Sequence, residues 1–186
     1  TLILPADTAW ESLGVPADPL TPCSPGLPSA QRVEEIARTL RDAGSSAVLL
    51  LNGSALSEEG VALAGRIAAA TGVRLFRDTF VARVTRGAGR GHLSRLPYFG
   101  EQVVKVLDGV QHLVTVGTKA PVSFFAYPDK PGELTPDGCS VHCLAEPEED
   151  GRGALAALVE ALDAGKTPPA IETEQRPPLP TGALTP

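Results

Sequence analysis

Between Ser29 and Gly165 the apolar residues form two kinds of pattern, stripes recurring every three or four positions and short unbroken runs, and the two alternate along the chain. Val33, Ile36, Ala37 and Leu40 share one helical face, with Ser29 placed to cap the start and Gly44 to end it. Ala47 to Leu51 is too short for a helix and too uniformly apolar for a half-exposed strand, so it predicts a central parallel strand. Asn52-Gly53-Ser54 turns the chain. Ser57 then caps a second helix, with Glu58 and Glu59 against its positive end and Val61, Ala64, Ile67 and Ala68 as its buried stripe. Gly72 stops it and Val73 to Phe76 predicts the next strand, completing a β-α-β unit whose crossover is expected to be right-handed. Phe99 to Leu107 predicts a helix with Val103, Val104 and Leu107 inward, and His112 to Val116 a buried strand ending at Gly117. Val122 to Tyr127 and Ser140 to Leu144 are shorter strand candidates. Ala154 to Leu162, with Leu155, Leu158, Val159 and Leu162 inward, predicts a last helix that Gly165 ends.

This alternation predicts an α/β fold, a doubly wound, mostly parallel sheet with helices on both faces, Rossmann-like or DHS-like and of the nucleotide-binding type. Three regions follow. Residues 1–28 hold Pro5, Pro16, Pro19, Pro22, Pro25 and Pro28, a density that predicts an extended connector, and Thr1 to Leu4 before it reads as the tail of a strand. Residues 29–165 form the domain. Residues 166–186, with Pro168, Pro169, Pro177, Pro178, Pro180 and Pro186, predict a linker. A module between two proline-rich connectors, opening at Thr1 without an initiator Met, is expected to be a piece of a multidomain chain. No internal repeat is visible.

The length of 186 residues suits one domain with a core. A net charge of −6 argues against nucleic acid or an anionic membrane as partner, because such binding needs a basic surface. No apolar run approaches the roughly 20 residues of a membrane span and no signal peptide is visible, so a cytoplasmic protein is expected. Cys23, Cys139 and Cys143 cannot all pair, which fits a reducing compartment. Cys139, His142 and Cys143 lie close in sequence, but Val141 and Leu144 read as part of a buried strand and no second ligand pair exists, so no metal site is expected.

Candidate chemistry is sparse. Arg86-Gly87-Ala88-Gly89-Arg90-Gly91 has the glycine content of a dinucleotide fingerprint. It lacks a strand before it, a helix after it, and an acidic residue ending a second strand about 20 residues on, so it predicts a flexible loop. Arg77, Arg83, Arg86, Arg90 and Arg95, with His92, make residues 77–95 strongly cationic, and guanidinium forks suit phosphate oxygens. Arg86 and Arg90 are therefore candidate phosphate contacts; the alternative, which is favoured, pairs these arginines with acidic surfaces on other domains or subunits. A nucleotide on this fold lies beyond the carboxyl ends of the strands, which makes Asn52, Gly53, Ser54, Gly117, Thr118 and Lys119 the candidate cofactor contacts. There is no Gly-x-Ser-x-Gly elbow, and His92, His112 and His142 stand in unrelated contexts, so no catalytic residue is expected. Asp7 reads as a turn former.

Leu2-Ile3-Leu4-Pro5-Ala6-Asp7 resembles the segment that closes the pyrimidine-binding domain of thiamine-diphosphate-dependent enzymes of the acetolactate synthase and benzoylformate decarboxylase type. The proline-rich connector, the helix, and the strand Val48 to Leu51 running into Asn52-Gly53-Ser54 follow in that family's order. Arg95-Leu96-Pro97-Tyr98-Phe99, Leu113 to Gly117 and Pro121 to Pro128 resemble the acetolactate synthase large-subunit-like subgroup, and Leu179 to Pro186 is similar to the entry into the family's third domain.

The resemblance implies a central domain that is not itself catalytic. The parent enzyme would decarboxylate a 2-oxo acid through thiamine diphosphate, with carboligation as a further step. Cofactor and magnesium would lie between the first and third domains rather than on this segment. It also implies packing against the flanking domains of the same chain and a homo-oligomer. In some members the central domain binds FAD or ADP; in others that site is vestigial. Where flavin-binding relatives end a late strand in an acidic residue, this sequence has His142-Cys143-Leu144-Ala145, which with the arginine-rich loop counts against FAD. Rival readings are a free-standing FAD, ADP or NAD-binding or electron-transfer module and a pure interaction module.

Overall fold

The structure, a computed structural model, describes residues 3–12, 15, 17–169, 171–173, 177–179, 181 and 182. Its centre is a five-stranded, all-parallel sheet of order β3-β2-β1-β4-β5. The strands are β1 (Ala47–Leu51), β2 (Arg74–Arg77), β3 (Ser94–Arg95), β4 (His112–Val116) and β5 (Ser140–Ala145). The helices are α1 (Ala6–Trp10), α2 (Ala30–Ala43), α3 (Glu58–Thr71), α4 (Gly100–Val106) and α5 (Gly151–Ala161).

β1 is central because its five residues are all buried, which only a strand covered on both faces permits. Leu49 stands opposite Leu75 on one side and Val114 on the other. The helix starts are those the sequence marks: the Ser29 hydroxyl accepts from the Arg32 amide before α2, and the Ser57 hydroxyl accepts from the Gly60 amide before α3. Gly72 ends α3 in the left-handed region, φ 81°.

Helices cover both faces unequally. Leu49, Leu51, Val114, Val116 and Leu144 pack under α2, α3 and α5, through Ile36, Leu40, Ile67, Leu155 and Leu158 among others. Val48, Leu50, Phe76 and Leu113 on the opposite face meet the seven-residue α4 through Val103, with Leu96, Leu107, Val110 and Leu134. The crossover from β4 to β5 on this thinner side contains no helix.

Several expectations change. Val122 to Tyr127 is not a strand and makes a single antiparallel bridge, Val122 to Glu133; Pro121 and Pro128 bracket it, and the Lys130 amide turns back to the Tyr127 carbonyl. β2 starts one residue later than expected, and β3 is a two-residue edge strand with no apolar pattern. Val104 is 41% exposed rather than inward, because Val103 and Leu107, four residues apart, take the inward face of α4. Val141 is 49% exposed, because β5 is an edge strand buried only in its second half. Ile3 and Leu4 pair with no strand and are 84% and 65% exposed; Thr1 and Leu2 lie outside the described residues. The extended connector of residues 1–28 is interrupted by α1, none of whose residues is buried, and Asp7 accepts from the Thr8 amide there. Its far end docks, with the Gly26 carbonyl accepting from the Asp150 amide at the start of α5. Most of the segment Leu179 to Pro186 lies outside the described residues.

Candidate functional site

Leaving β1 the chain builds outward to β2 and β3, then returns to place β4 on the opposite side, so connections diverge between the carboxyl ends of β1 and β4. Open α/β sheets bind ligands at this switch point. The two predicted turns meet there. Gly53 and Gly117 have φ of 59° and 68°, and a Cβ on Gly117 would stand 2.7 Å from the Asn52 carbonyl oxygen. The Asn52 amide donates to the Val116 carbonyl at 2.9 Å and the Gly117 amide to the Ala145 carbonyl at 2.8 Å.

The polar side chains around this junction converge on Asp78, which follows β2. The Thr118 hydroxyl donates to its Oδ2 at 2.6 Å and Asn52 Nδ2 approaches the same oxygen at 3.4 Å. Its Oδ1 accepts from the Thr79 amide at 2.7 Å. Asn52 also donates to the Phe80 carbonyl at 3.2 Å and accepts from the Gly53 amide at 2.8 Å. Thr79 Oγ donates toward the Leu96 and Pro97 carbonyls, and Ser54 Oγ accepts from the Arg152 amide. Asn52, Ser54 and Thr118 thus serve the junction itself. A carboxylate at the centre of the crevice, with both oxygens engaged, repels a phosphate brought against these turns. Lys119, exposed, lines a cavity of about 180 Å³ with Asp78, Thr79, Thr118 and Phe124. Sequence reading missed Asp78; its signal was an acidic residue directly after the strand Arg74–Arg77, upstream of the glycine run.

Beyond this crevice lies a larger cavity, about 490 Å³, walled by Tyr98, Phe99, Phe124, Phe125 and Tyr127, with the Lys130–Glu101 ion pair beside them. Phe80 joins the cluster, its ring 4.9 Å from that of Phe124. Phe80, Phe99 and Tyr127 are each at least 60% exposed, an unusual concentration of unburied aromatic surface.

The two predicted phosphate contacts part company. Arg90 pairs with Glu58 at 3.4 Å, at the start of α3. Arg86 and Arg95 both lie near Arg77, whose pKa is lowered by burial, then by Arg95, then by Arg86. Arg77, Arg86, His92 and Glu172 line a cavity of about 340 Å³ that shares no residue with the Lys119 cavity.

The histidines are not all in separate settings: His112 and His142, on neighbouring strands, approach to 3.2 Å. Burial, and then His112, lower the His142 pKa. The Cys139 and Cys143 thiols are free, and burial raises the pKa of both. Among the described residues no group of three or more His, Cys, Asp or Glu side chains could hold a metal, and no helix is long and apolar enough to cross a membrane.

No family model matches this chain. Over its whole length it is 43% identical, across 190 residues, to the acetolactate synthase large-subunit-like protein IlvX of Mycobacterium tuberculosis (strain ATCC 25618 / H37Rv). In sequence the chain thus resembles an acetolactate synthase large-subunit protein. It spans 35% of the length of that curated relative. Among solved structures it is similar to a thiamin diphosphate-dependent enzyme from Mycobacterium smegmatis, at a TM-score of 0.53 and 19% identity, covering 88% of this chain and 34% of that one. That likeness shows the α/β fold. A Rhodococcus jostii RHA1 thiamine diphosphate-dependent 4-hydroxybenzoylformate decarboxylase matches at a TM-score of 0.48 and 21% identity, covering 90% of this chain and 32% of that one.

Proposed function

We propose that this chain acts as the central, non-catalytic domain of a thiamine-diphosphate-dependent 2-oxo acid decarboxylase or carboligase of the acetolactate synthase type. The observation that carries the reading is the 43% identity, covering the whole chain and 35% of the relative. Domains of the same polypeptide would then flank it, and the exposed rings from Phe80 to Tyr127 supply apolar surface for such neighbours to cover. Thiamine diphosphate would supply the carbanion chemistry from outside this segment. The chain's own residues contribute a rigid parallel sheet that spaces its neighbours. Homo-oligomerisation and a cytoplasmic location belong to the same proposal.

The test is turnover. The isolated chain, mixed with pyruvate, thiamine diphosphate and magnesium, is expected to release no carbon dioxide and form no acetolactate; turnover would overturn the non-catalytic assignment.

The nucleotide-binding reading keeps one observation in its favour, the meeting of Asn52-Gly53-Ser54 with Gly117-Thr118-Lys119 at the switch point. Engagement of Asn52, Ser54 and Thr118 within the fold, and the Asp78 carboxylate between the turns, weigh against it. Titration with FAD, ADP and NAD separates the two: micromolar affinity lost on substituting Lys119 would favour the nucleotide module.

A further inference from the structure

We propose that the cavity lined by Arg77, Arg86 and His92 is a binding site for a small phosphate-bearing anion, and that Glu172 in the carboxyl-terminal connector is its built-in competitor. This does not depend on the function proposed above.

The positive charge is concentrated by the fold. Arg77 and Arg95 end the parallel strands β2 and β3 in direct register, and the loop that joins those strands returns Arg86 to their neighbourhood. Among the described residues Arg32, Arg41, Arg90 and Arg152 each have a carboxylate within 4.0 Å, whereas Arg77, Arg86 and Arg95, like Arg38, Arg66, Arg74 and Arg83, have none. In a chain of net charge −6 this is a local cationic surface. It adjoins a space, a cavity of about 340 Å³ lined by Arg77 and Arg86 with Gly87, Gly91 and His92 among others. Guanidinium groups held close together are suited to the several oxygens of a phosphate.

One acidic group reaches that space, and the chain brings it from far away in sequence. The Gly89 amide donates to the Glu172 carbonyl at 2.9 Å and the Glu172 amide to the Arg90 carbonyl at 2.7 Å, so the connector lies along the arginine loop like an added strand. Its carboxylate meets His92 Nδ1 and lines the cavity. One carboxylate leaves the arginines under-neutralised. A dianion carries more charge and more acceptors, so it should displace Glu172 and weaken the hold of the connector on the loop. Occupancy of the site would thereby be coupled to docking of the tail.

The experiment is calorimetric titration of the full 186-residue chain with inorganic phosphate, pyrophosphate and ADP at low ionic strength, with R86Q and E172Q alongside. Arg86 is exposed, and circular dichroism checks that both variants fold; R95Q, also exposed, repeats the test of R86Q. Pyrophosphate should bind E172Q at least about fivefold tighter than the wild type, because a tethered competitor acts at roughly millimolar effective concentration. R86Q should bind about tenfold more weakly, as loss of a charge-assisted contact predicts. Pyrophosphate should also speed tryptic cleavage at Lys166 in the wild type and leave E172Q unchanged. ADP tighter than pyrophosphate identifies a nucleotide source, and equal affinity a simple phosphate source. Binding by E172Q alone would still support the competitor. Millimolar pyrophosphate binding to neither protein, equal affinity for both, or undiminished binding by R86Q and R95Q would overturn the proposal.

Discussion

Gly117→Ala tests whether the two turns at the switch point are locked together. Two penalties act at this position. An L-residue at φ 68° costs about 1 to 2 kcal/mol from its Cβ against the local backbone. The new Cβ would also lie 2.7 Å from the Asn52 carbonyl oxygen and 3.3 Å from the carbonyl carbon. That carbonyl cannot easily retreat, since the Asn52 amide is bonded to the Val116 carbonyl and its side chain to Phe80 and Asp78. Overpacking against a fixed neighbour adds roughly 1 to 3 kcal/mol. Gly109 is the internal control, for its φ is 73° and a Cβ there meets nothing within 4 Å, so Gly109→Ala bears the backbone penalty alone. In urea, with a slope of about 2 kcal/mol per molar, G117A should lower the midpoint by about 1 to 2.5 M and G109A by about 0.5 to 1 M. Circular dichroism at 222 nm, a standard helix signal, reads both. Equal shifts would refute the argument, because they would mean that Asn52 does not press on Gly117.

Two further perturbations probe the same architecture. Asp78→Ala removes the acceptor for Thr118, Asn52 and the Thr79 amide, in a neighbourhood where Thr79 and Thr118 are buried. It should destabilise by about 2 to 3 kcal/mol in the same urea assay, and a loss below about 0.5 kcal/mol would contradict the bonding described. His142 has its pKa lowered by burial and then by His112, so the unfolded chain takes up the proton more readily than the folded one. The contribution of the neutral ring is complete above the ordinary histidine value, about 6.5, and is lost as pH falls through it toward the lower folded value. Unfolding midpoints measured from about pH 8 to 5 should therefore decline toward acid in the wild type and decline less in His142→Gln; parallel profiles would exclude the effect.

What the sequence could announce depended on how much of each element's character is local. Ala47–Leu51 is uniformly apolar and His112–Val116 is apolar at three of its five positions, and each is followed closely by glycine, so pattern and structure coincide there. Ser29 and Ser57 declare helix starts through a hydroxyl that needs only the next three residues. Ser94–Arg95 becomes a strand solely because Phe76 and Arg77 offer an edge to pair with, and no window of sequence contains that fact. Val122 to Tyr127 has the composition of a strand, but strand formation needs a partner as well as propensity, and the sheet already ends at β5.

The candidate site divides the same way. Topology brings Asn52 and Gly117 together, and topology was legible because it follows from the order of strands and helices. The uses of the side chains were not, since saturation of Asn52 and Thr118 depends on Asp78 arriving from a third strand. The arginine loop makes the point most sharply. Arg86 and Arg90 are four residues apart in one cationic run and look interchangeable. Glu58 sits at the amino end of α3, where a carboxylate is favoured by the helix dipole, and it captures Arg90. Arg86 instead falls beside Arg77, which Arg95 also adjoins. Identical chemistry thus acquires opposite roles through what the fold sets beside it.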